Sequence, residues 1–564
     1  MRHRTFAWGR SRNRIRSRDK WVEWLWIVGL LLAAVLLCSI NLGGLALRDW
    51  DEGTVAQVAR DIWRAPSGSG RWLYPTLGGE PYLNKPPLMH WLIALAYSVG
   101  GVNEWTSRLP GAMLTAISVP LLYCIGREIF AQRQSAIFSA LIYLTMLPVV
   151  RHGRLAMLDG GVLCFLLLMM WCLLRSRRDW RYCLGFGISF GLICFTKGIV
   201  GLLLGAIAVL FLFWDTPRLL TSWYLWTGIF IGSVPVALWY AAQWLHYGHS
   251  FISQGFVDQS WRRVWASVEA HGGPPWYYIL EIFKYTWPWL LFLPQVLAKT
   301  WENRNLSWAK LVLVWSGVYL LVISLMATKL PWYVLPIYPA VALAGGVQLA
   351  EVWNWRTRES YPRAWVVVLA VLGMGAIAGS LYLGPEVVTW GRGQATMQSS
   401  CVFGHTNGSC NPWGAAKDWE LQLILAAVAG TMTMAAILAA RGDRQFILIL
   451  FWGSYVSLLL LMTSHHWVWE LAEAYPVKPV AAIIQRGTPA GQEIYTSYPY
   501  GRPSLNFYSD RHIIPATASE LQQHWQQDPQ AYFLLDQSSR QHLRLKSVNL
   551  VGTAEGWTLI AKKH

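Results

Sequence analysis

Arg48, Asp49, Asp51 and Glu52 crowd together a few residues beyond a long apolar run, "WLWIVGLLLAAVLLCSINLGGL". Other ionisable residues recur beside later apolar runs. Lys85 stands in "YLNKPPLMHW"; Arg151, Arg154 and Asp159 in "RHGRLAMLDGG"; Lys197 in "FTKGIVG". Arg262, Arg263, Glu269 and His271 share "SWRRVWASVEAHGGPPWYY", and Lys329 and Tyr333 share "ATKLPWYVLPIYP". Charges at the edge of hydrocarbon are costly, so they pair or serve a site. A carboxylate can draw a proton from an incoming nucleophile, and several cations can stabilise charge building on departing oxygens. Together these residue types suit transfer of a group off a phosphate.

The elements that must position them are membrane spans. The chain has 564 residues, 54% hydrophobic and only 14% charged, with 36 Trp. A soluble domain carries nearer a quarter charged residues, so this is an all-α polytopic membrane protein with aromatic residues for its interfaces. The net charge of +17 does not indicate nucleic acid. Much of it lies in "MRHRTFAWGRSRNRIRSRDK", a basic tail (1–22) that keeps the N-terminus cytoplasmic and suits anionic lipid. No small-residue cleavage site follows the first apolar run, which reads as a retained span.

Thirteen apolar runs are long enough to read as spans: one after residue 23, then 108–127, 135–150, 160–174, 182–196, 198–214, 223–244, 276–298, 309–327, 331–350, 364–384, 419–440 and 445–463. The segment "PPLMHWLIALAYSVGG" (86–101) is apolar but short and led by two prolines. If it does not cross, "REIFAQRQ", "RSRRDWR", "KTWENRNLSWAK" and "RGDR" all lie inside, as the positive-inside rule requires. The segment is therefore expected to be interfacial or re-entrant. About thirteen transmembrane helices follow, over 23–463. The first outer loop is 44–107, the polar residues named above lie on the outer face, and the C-terminus is outside.

Residues 464–564 read differently. "VKPVAAIIQRG" has the pattern of an amphipathic helix, whereas "QEIYTSYPY", "QAYFLLD" and "GWTLIAKK" read as strands, so a small α/β domain outside the membrane is expected. Cys401 and Cys410, in the polar loop "SSCVFGHTNGSCNPW", suit a disulfide in an oxidising compartment. The other six Cys lie in or beside apolar runs. Asn407 fits a glycosylation sequon, a match too short to weigh. His271 and the pair His465–His466 have no third ligand at a metal-site spacing, so no metal site is assigned.

"DEGTVAQVARDI", "YLNKPPLMHW", "MLDGG", "FTKG", "PPWYY" and "TKLPWYVLPIYP" occur in an order that resembles the 4-amino-4-deoxy-L-arabinose lipid A transferases and the wider protein O-mannosyltransferase relatives of the GT-C glycosyltransferase fold. The resemblance covers roughly residues 25–350. It implies a glycosyltransferase of the bacterial inner membrane whose active site is on the periplasmic side. The implied donor is a polyprenyl-phosphate-linked sugar; the acceptor is a glycolipid such as lipid A, a polysaccharide or a protein. Carried over by position, Asp51 becomes the catalytic carboxylate, Glu52 its neighbour and Asp159 the second acid. Lys85 would hold the donor phosphate with Arg263 and Tyr333; Arg262, Lys197 and Lys329 are further phosphate candidates. Two positions depart from the lipid A enzymes, which have Glu where this chain has Asn84 and Tyr where it has Val55. The sugar or acceptor is therefore open. No cofactor is assigned, and a divalent metal is left open.

Each residue has a plainer reading. Asp51 could cap the helix after it, Glu52 be a first-turn acid, Asp159 start a span, and Lys85 snorkel. Lys197 and Lys329 could be ordinary span ends, and Arg262 a solvent-facing neighbour of Arg263. Two rival functions stand beside transfer. A transporter or flippase of lipid-linked sugars predicts charges within spans and repeated halves, neither of which is visible. A non-catalytic anchoring protein would tolerate change at every one of these loop residues.

Overall fold

The computed structural model describes residues 17–268, 271–355, 361–382, 419–468, 475–543 and 545–563. Glu269, Cys401, Asn407, Cys410 and most of the basic tail lie outside the described residues. The chain is a multi-pass helical membrane protein. Among the described residues eight helices are long and apolar enough to cross a bilayer, or nine if the pair Arg133–Leu144 and Leu147–Gly153, bent by 57°, counts as one span. The other expected runs fold as shorter or broken helices. Tyr182–Lys197 has 16 residues and Ile199–Asp215 has 17, about 25 Å at 1.5 Å per residue, short of the ~30 Å of hydrocarbon. The run at 276–298 breaks into Tyr277–Tyr285, Trp289–Phe292 and the start of Leu293–Glu302.

Segment 86–101 folds as the helix Leu88–Gly100, 13 residues long and too short to span. It buries Met89, His90, Ile93, Ala94 and Tyr97 and leaves Leu95 and Val99 exposed. That suits a helix lying in the interface. Ion pairs gather the opposite ends of several spans. Glu23 pairs with Arg127 at 3.0 Å and Arg133 at 2.9 Å; Glu128 with Arg175 at 2.5 Å; Asp215 with Arg177 at 2.7 Å. The basic short loops thus share one face, opposite the segment that follows the first span.

The segment that follows the first span contains a π-helical turn Asp49–Gly53, the helix Thr54–Arg64, a short hairpin of β1 (Thr76–Leu77) and β2 (Glu80–Pro81), and the helix Leu88–Gly100. Against it sits a C-terminal domain with β3 (Glu493–Thr496), β4 (His512–Pro515), β5 (Tyr532–Asp536), β6 (Val548–Ala554) and β7 (Trp557–Lys562). The sheet order is β4-β3-β5-β7-β6. β3 runs parallel to β4 and β5; β7 runs antiparallel to β5 and β6. Its helix Val477–Gly487 buries Val477, Val480, Ala481 and Ile484, an i, i+3, i+4, i+7 stripe.

The domain docks through its helix Pro503–Ser509. Arg60 donates to Phe507 O at 2.7 Å, the Leu47 amide donates to Tyr508 Oη at 2.8 Å, and that hydroxyl donates to Glu104 at 3.0 Å. Contact is closest at Gly53, where a Cβ would meet Ser504 N at 2.6 Å. Gly53→Val is therefore expected to pry the two apart at a cost of ~1–3 kcal/mol. Limited proteolysis should release the C-terminal domain sooner than from the native chain; an unchanged cleavage rate would contradict this packing.

Candidate functional site

The turn Asp49–Gly53 sends its three carboxylates to three destinations. Glu52 is fully buried. It takes both prongs of Arg108, from Nε and Nη2 at 2.7 Å each, and accepts from the amides of Ala156 at 2.7 Å and Arg48 at 3.0 Å. Burial alone would raise its pKa; the Arg108 charge and these hydrogen bonds outweigh it and hold the carboxyl below its ordinary value. Arg108 also donates to Leu42 O, Leu45 O and Ala46 O. A capping box between Asn103 and Thr106 starts its helix, Glu104–Ile129. Glu52 is thus the pin that joins the first span's exit, this helix and the loop at Ala156.

Asp49 turns toward the C-terminal domain, accepting from Arg502 Nε and Ser504 Oγ at 2.5 Å each and from Ser504 N at 3.1 Å. Asp51 remains partly exposed. Desolvation lifts its pKa to about 7; Glu52 and Asp159 push the same way, while Arg48 and Lys197 oppose. A carboxylate poised near neutrality is a fit proton acceptor.

Beside this turn opens a cleft of about 800 Å³, open solvent included. Five residues singled out from the sequence line it: Lys85, Asp159, Lys197, Arg263 and Tyr333. Asn84, Tyr240, Tyr319 and Trp332 join them, and Val162, Val200, Leu203, Ile323 and Met326 give it an apolar wall. Lys197 ends the helix Tyr182–Lys197, where Gly198 at φ +52° lets the chain reverse into Ile199–Asp215. Its Nζ donates to Asp159 Oδ1 at 2.7 Å and lies 5.8 Å from the Tyr333 ring centre. Asp159 opens the helix Asp159–Arg175 and is buried. Lys85 directly precedes the two prolines that start Leu88–Gly100. Arg263 sits on the short helix Arg262–Trp265, tied to the loop that leads into the 3-10 helix Pro331–Ile337, which bears Tyr333, by Ala327 N to Val264 O at 2.9 Å and Thr328 N to Arg263 O at 3.1 Å.

Four candidates stand outside the lining. Asp51 is in the turn beside the cleft, near enough for the charges of Asp159 and Lys197 to act on it. Glu52 is in the buried pin. Arg262 is exposed and does not line the cleft. Lys329 is buried, donating to Ile323 O at 3.0 Å and Ser324 O at 2.7 Å, so it caps the end of the helix Tyr319–Leu325. Sequence reasoning overlooked Arg108, Arg502, Ser504 and the cleft tyrosines 240 and 319. Arg108 left a signal, being a charge at the head of an apolar run that needs a carboxylate partner; Arg502 and the tyrosines left none. Among the described residues lining the cleft Asp159 is the one carboxylate, and it is already paired, so a metal finds no ready donor set there.

The chain is similar in sequence and fold to known proteins. Residues 84–240 match the family model described as dolichyl-phosphate-mannose-protein mannosyltransferase. A relative from Pseudomonas fluorescens, named undecaprenyl phosphate-alpha-4-amino-4-deoxy-L-arabinose arabinosyl transferase 1, is 28% identical over 367 residues, 63% of each chain. That alignment spans just under two thirds of the relative's length. A protein of Erwinia tasmaniensis named as the same transferase is 25% identical over 76% of this chain and 80% of its own. In structure, ArnT from Cupriavidus metallidurans bound to undecaprenyl phosphate superposes with a TM-score of 0.75 at 18% identity, covering 95% of this chain and 98% of that one. The apo oligosaccharyltransferase of Archaeoglobus fulgidus gives 0.53 at 11% identity, over 92% and 70%. The fold is the GT-C glycosyltransferase fold, and the chain is similar in sequence to the undecaprenyl phosphate-4-amino-4-deoxy-L-arabinose arabinosyl transferases and, over residues 84–240, to the mannosyltransferase family model.

Proposed function

We propose that the chain is a membrane glycosyltransferase that moves a monosaccharide from a polyprenyl-phosphate donor to an acceptor on the outer face of the bacterial inner membrane. The observation that carries this reading is the cleft itself. Lys85, Lys197 and Arg263 gather beside Tyr333 and a long apolar wall, next to a carboxylate held near neutrality. An anionic head joined to a hydrocarbon tail is the ligand such a surface suits.

In this reading Asp51 takes the proton from the acceptor nucleophile as it attacks the anomeric carbon, on the side opposite the phosphate. One displacement inverts the configuration, by the logic of inverting glycosidases with the acceptor in place of water. Lys85 and Arg263, with a hydrogen bond from Tyr333, stabilise the polyprenyl phosphate as it leaves. Lys197 adds positive charge, and its bond to Asp159 fixes both side chains at the cleft wall. In this reading the N-terminus is inside, and the first outer loop and C-terminal domain face the periplasm; their mutual docking requires an even number of crossings between them. Asn84, where the lipid A enzymes have Glu, leaves the sugar and acceptor to experiment. No observation favours a flippase.

The test supplies purified chain with a panel of polyprenyl-phosphate sugars and envelope acceptors and reads products by mass spectrometry. Transfer of one sugar is expected; no transfer from any donor would overturn the reading. Lys85→Ala should raise the donor KM about 10- to 100-fold, the ~1.5–3 kcal/mol of a hydrogen bond to a charged group, with the acceptor KM little changed. An unchanged donor KM removes Lys85 from the phosphate site.

A further inference from the structure

We propose that Glu420, His465 and His466 form a divalent-metal site on the face that carries the C-terminal domain, with a donor set suited to zinc. The histidines were set aside on spacing alone; the fold brings the third ligand from another helix, 45 positions away. Glu420 stands in the first turn of Trp419–Ala440, and the histidines form the turn that follows Phe446–Thr463.

One nitrogen or oxygen atom from each of the three side chains lies within 4.8 Å of the others. His465 Nδ1 is 2.8 Å from Glu420 Oε2, and the same oxygen accepts from the His465 amide at 3.1 Å. The two imidazole rings lie side by side with centres 3.9 Å apart. Ser464 Oγ accepts from the His466 amide at 3.1 Å and so fixes the turn. Zinc with bonds of ~2.0–2.1 Å needs ligand atoms roughly 3.3 Å apart, which small side-chain rotations would reach. Two imidazoles and one carboxylate select a borderline ion such as zinc over magnesium or calcium, which prefer all-oxygen shells. His465 is 59% exposed at its side chain and Glu420 28%, so an ion can enter from solution and water can complete the tetrahedron.

The site has a structural use. The turn that bears the histidines continues into Trp467, which is fully buried under Arg154 at 4.3 Å and Arg108 at 5.1 Å from its ring. A bound ion would clasp the outer ends of Trp419–Ala440 and Phe446–Thr463 and steady the residue that roofs the Arg108–Glu52 pin.

The test uses full-length, untagged protein in detergent, stripped with chelator and titrated with zinc alone by calorimetry. A parallel titration with cobalt reads the visible absorption of a tetrahedral nitrogen–oxygen site. One zinc per chain is expected, with affinity lowered at least ~tenfold in each of Glu420→Gln, His465→Asn and His466→Ala, since even outer-sphere partners cost that much. Circular dichroism in chelator should be the same for all four proteins, which separates lost ligands from lost fold. Zinc raising the melting temperature of the native chain and not of the variants supports the clasp. Absence of zinc binding by the native chain, or binding unchanged in all three variants, overturns the site and leaves a plain His465–Glu420 ion pair.

Discussion

Asp51→Asn is expected to slow sugar transfer by at least ~10²-fold, the lower bound for loss of a general base, while donor binding and membrane insertion persist. The native enzyme should lose kcat on acidification with a midpoint near pH 7, because only the ionised carboxylate accepts a proton and burial has moved its pKa to about 7. The variant's residual rate should lack that limb. Stability should move the other way. Asp51 holds its proton in the folded chain far above the ordinary value of 3.8, so its contribution to folding is complete below about pH 4 and is lost as pH rises through about 7. Asn has no charge to bury. The variant's melting temperature at pH 8 should equal or exceed that of the native chain, and the two should converge near pH 4. Full activity in the variant, or a pH profile that keeps its acid limb, would exclude Asp51 as the base.

The second large effect belongs to Glu52→Ala. It strands the Arg108 guanidinium in a site with no exposure and leaves the Ala156 and Arg48 amides without their acceptor. Breaking a buried pair from one side costs ~3–5 kcal/mol, a large share of the stability of most domains. Thermal unfolding in detergent should fall by many degrees, and little folded protein should survive purification. Removing both charges with Glu52→Met and Arg108→Met together should cost less than the sum of the single changes, because no lone charge remains. A melting temperature for Glu52→Ala close to that of the native chain would show that the pair is not the pin described above.

These two neighbours explain how far the sequence could be read. Asp49, Asp51 and Glu52 fall within four consecutive positions, and nothing local ranks them. Their partners do: Arg108 lies 56 positions from Glu52, and Arg502 lies 453 from Asp49. Among the cleft residues, Lys85, Asp159 and Lys197 were legible because each stands at the end of an apolar run, where a charge is conspicuous; Arg263 and Tyr333 were legible through the motifs that carry the family resemblance. Lys329 stands in the same kind of place, yet its amine reaches back to the carbonyls of the preceding helix Tyr319–Leu325, a choice made by side-chain direction. Segment 86–101 could be read because length and prolines limit a helix directly. Span number was less accessible: hydropathy marks an apolar run, whereas kinks such as the 57° bend and stops such as Gly198 decide whether one helix crosses. In the C-terminal domain three strands and one helix followed from pattern. β6 slips register between Leu550 and Gly552, which erases the alternation that reveals a strand.

Asp49 and its braces also set an order in time. The turn bearing the proposed base is translated early, whereas Arg502 and Ser504 leave the ribosome some 450 residues later. Until then the helices can enter the bilayer one after another with the reactive loop still unbraced. The nascent protein therefore gains its finished geometry only when the last domain closes over the first loop. A polypeptide terminated before residue 502 would be embedded and inert.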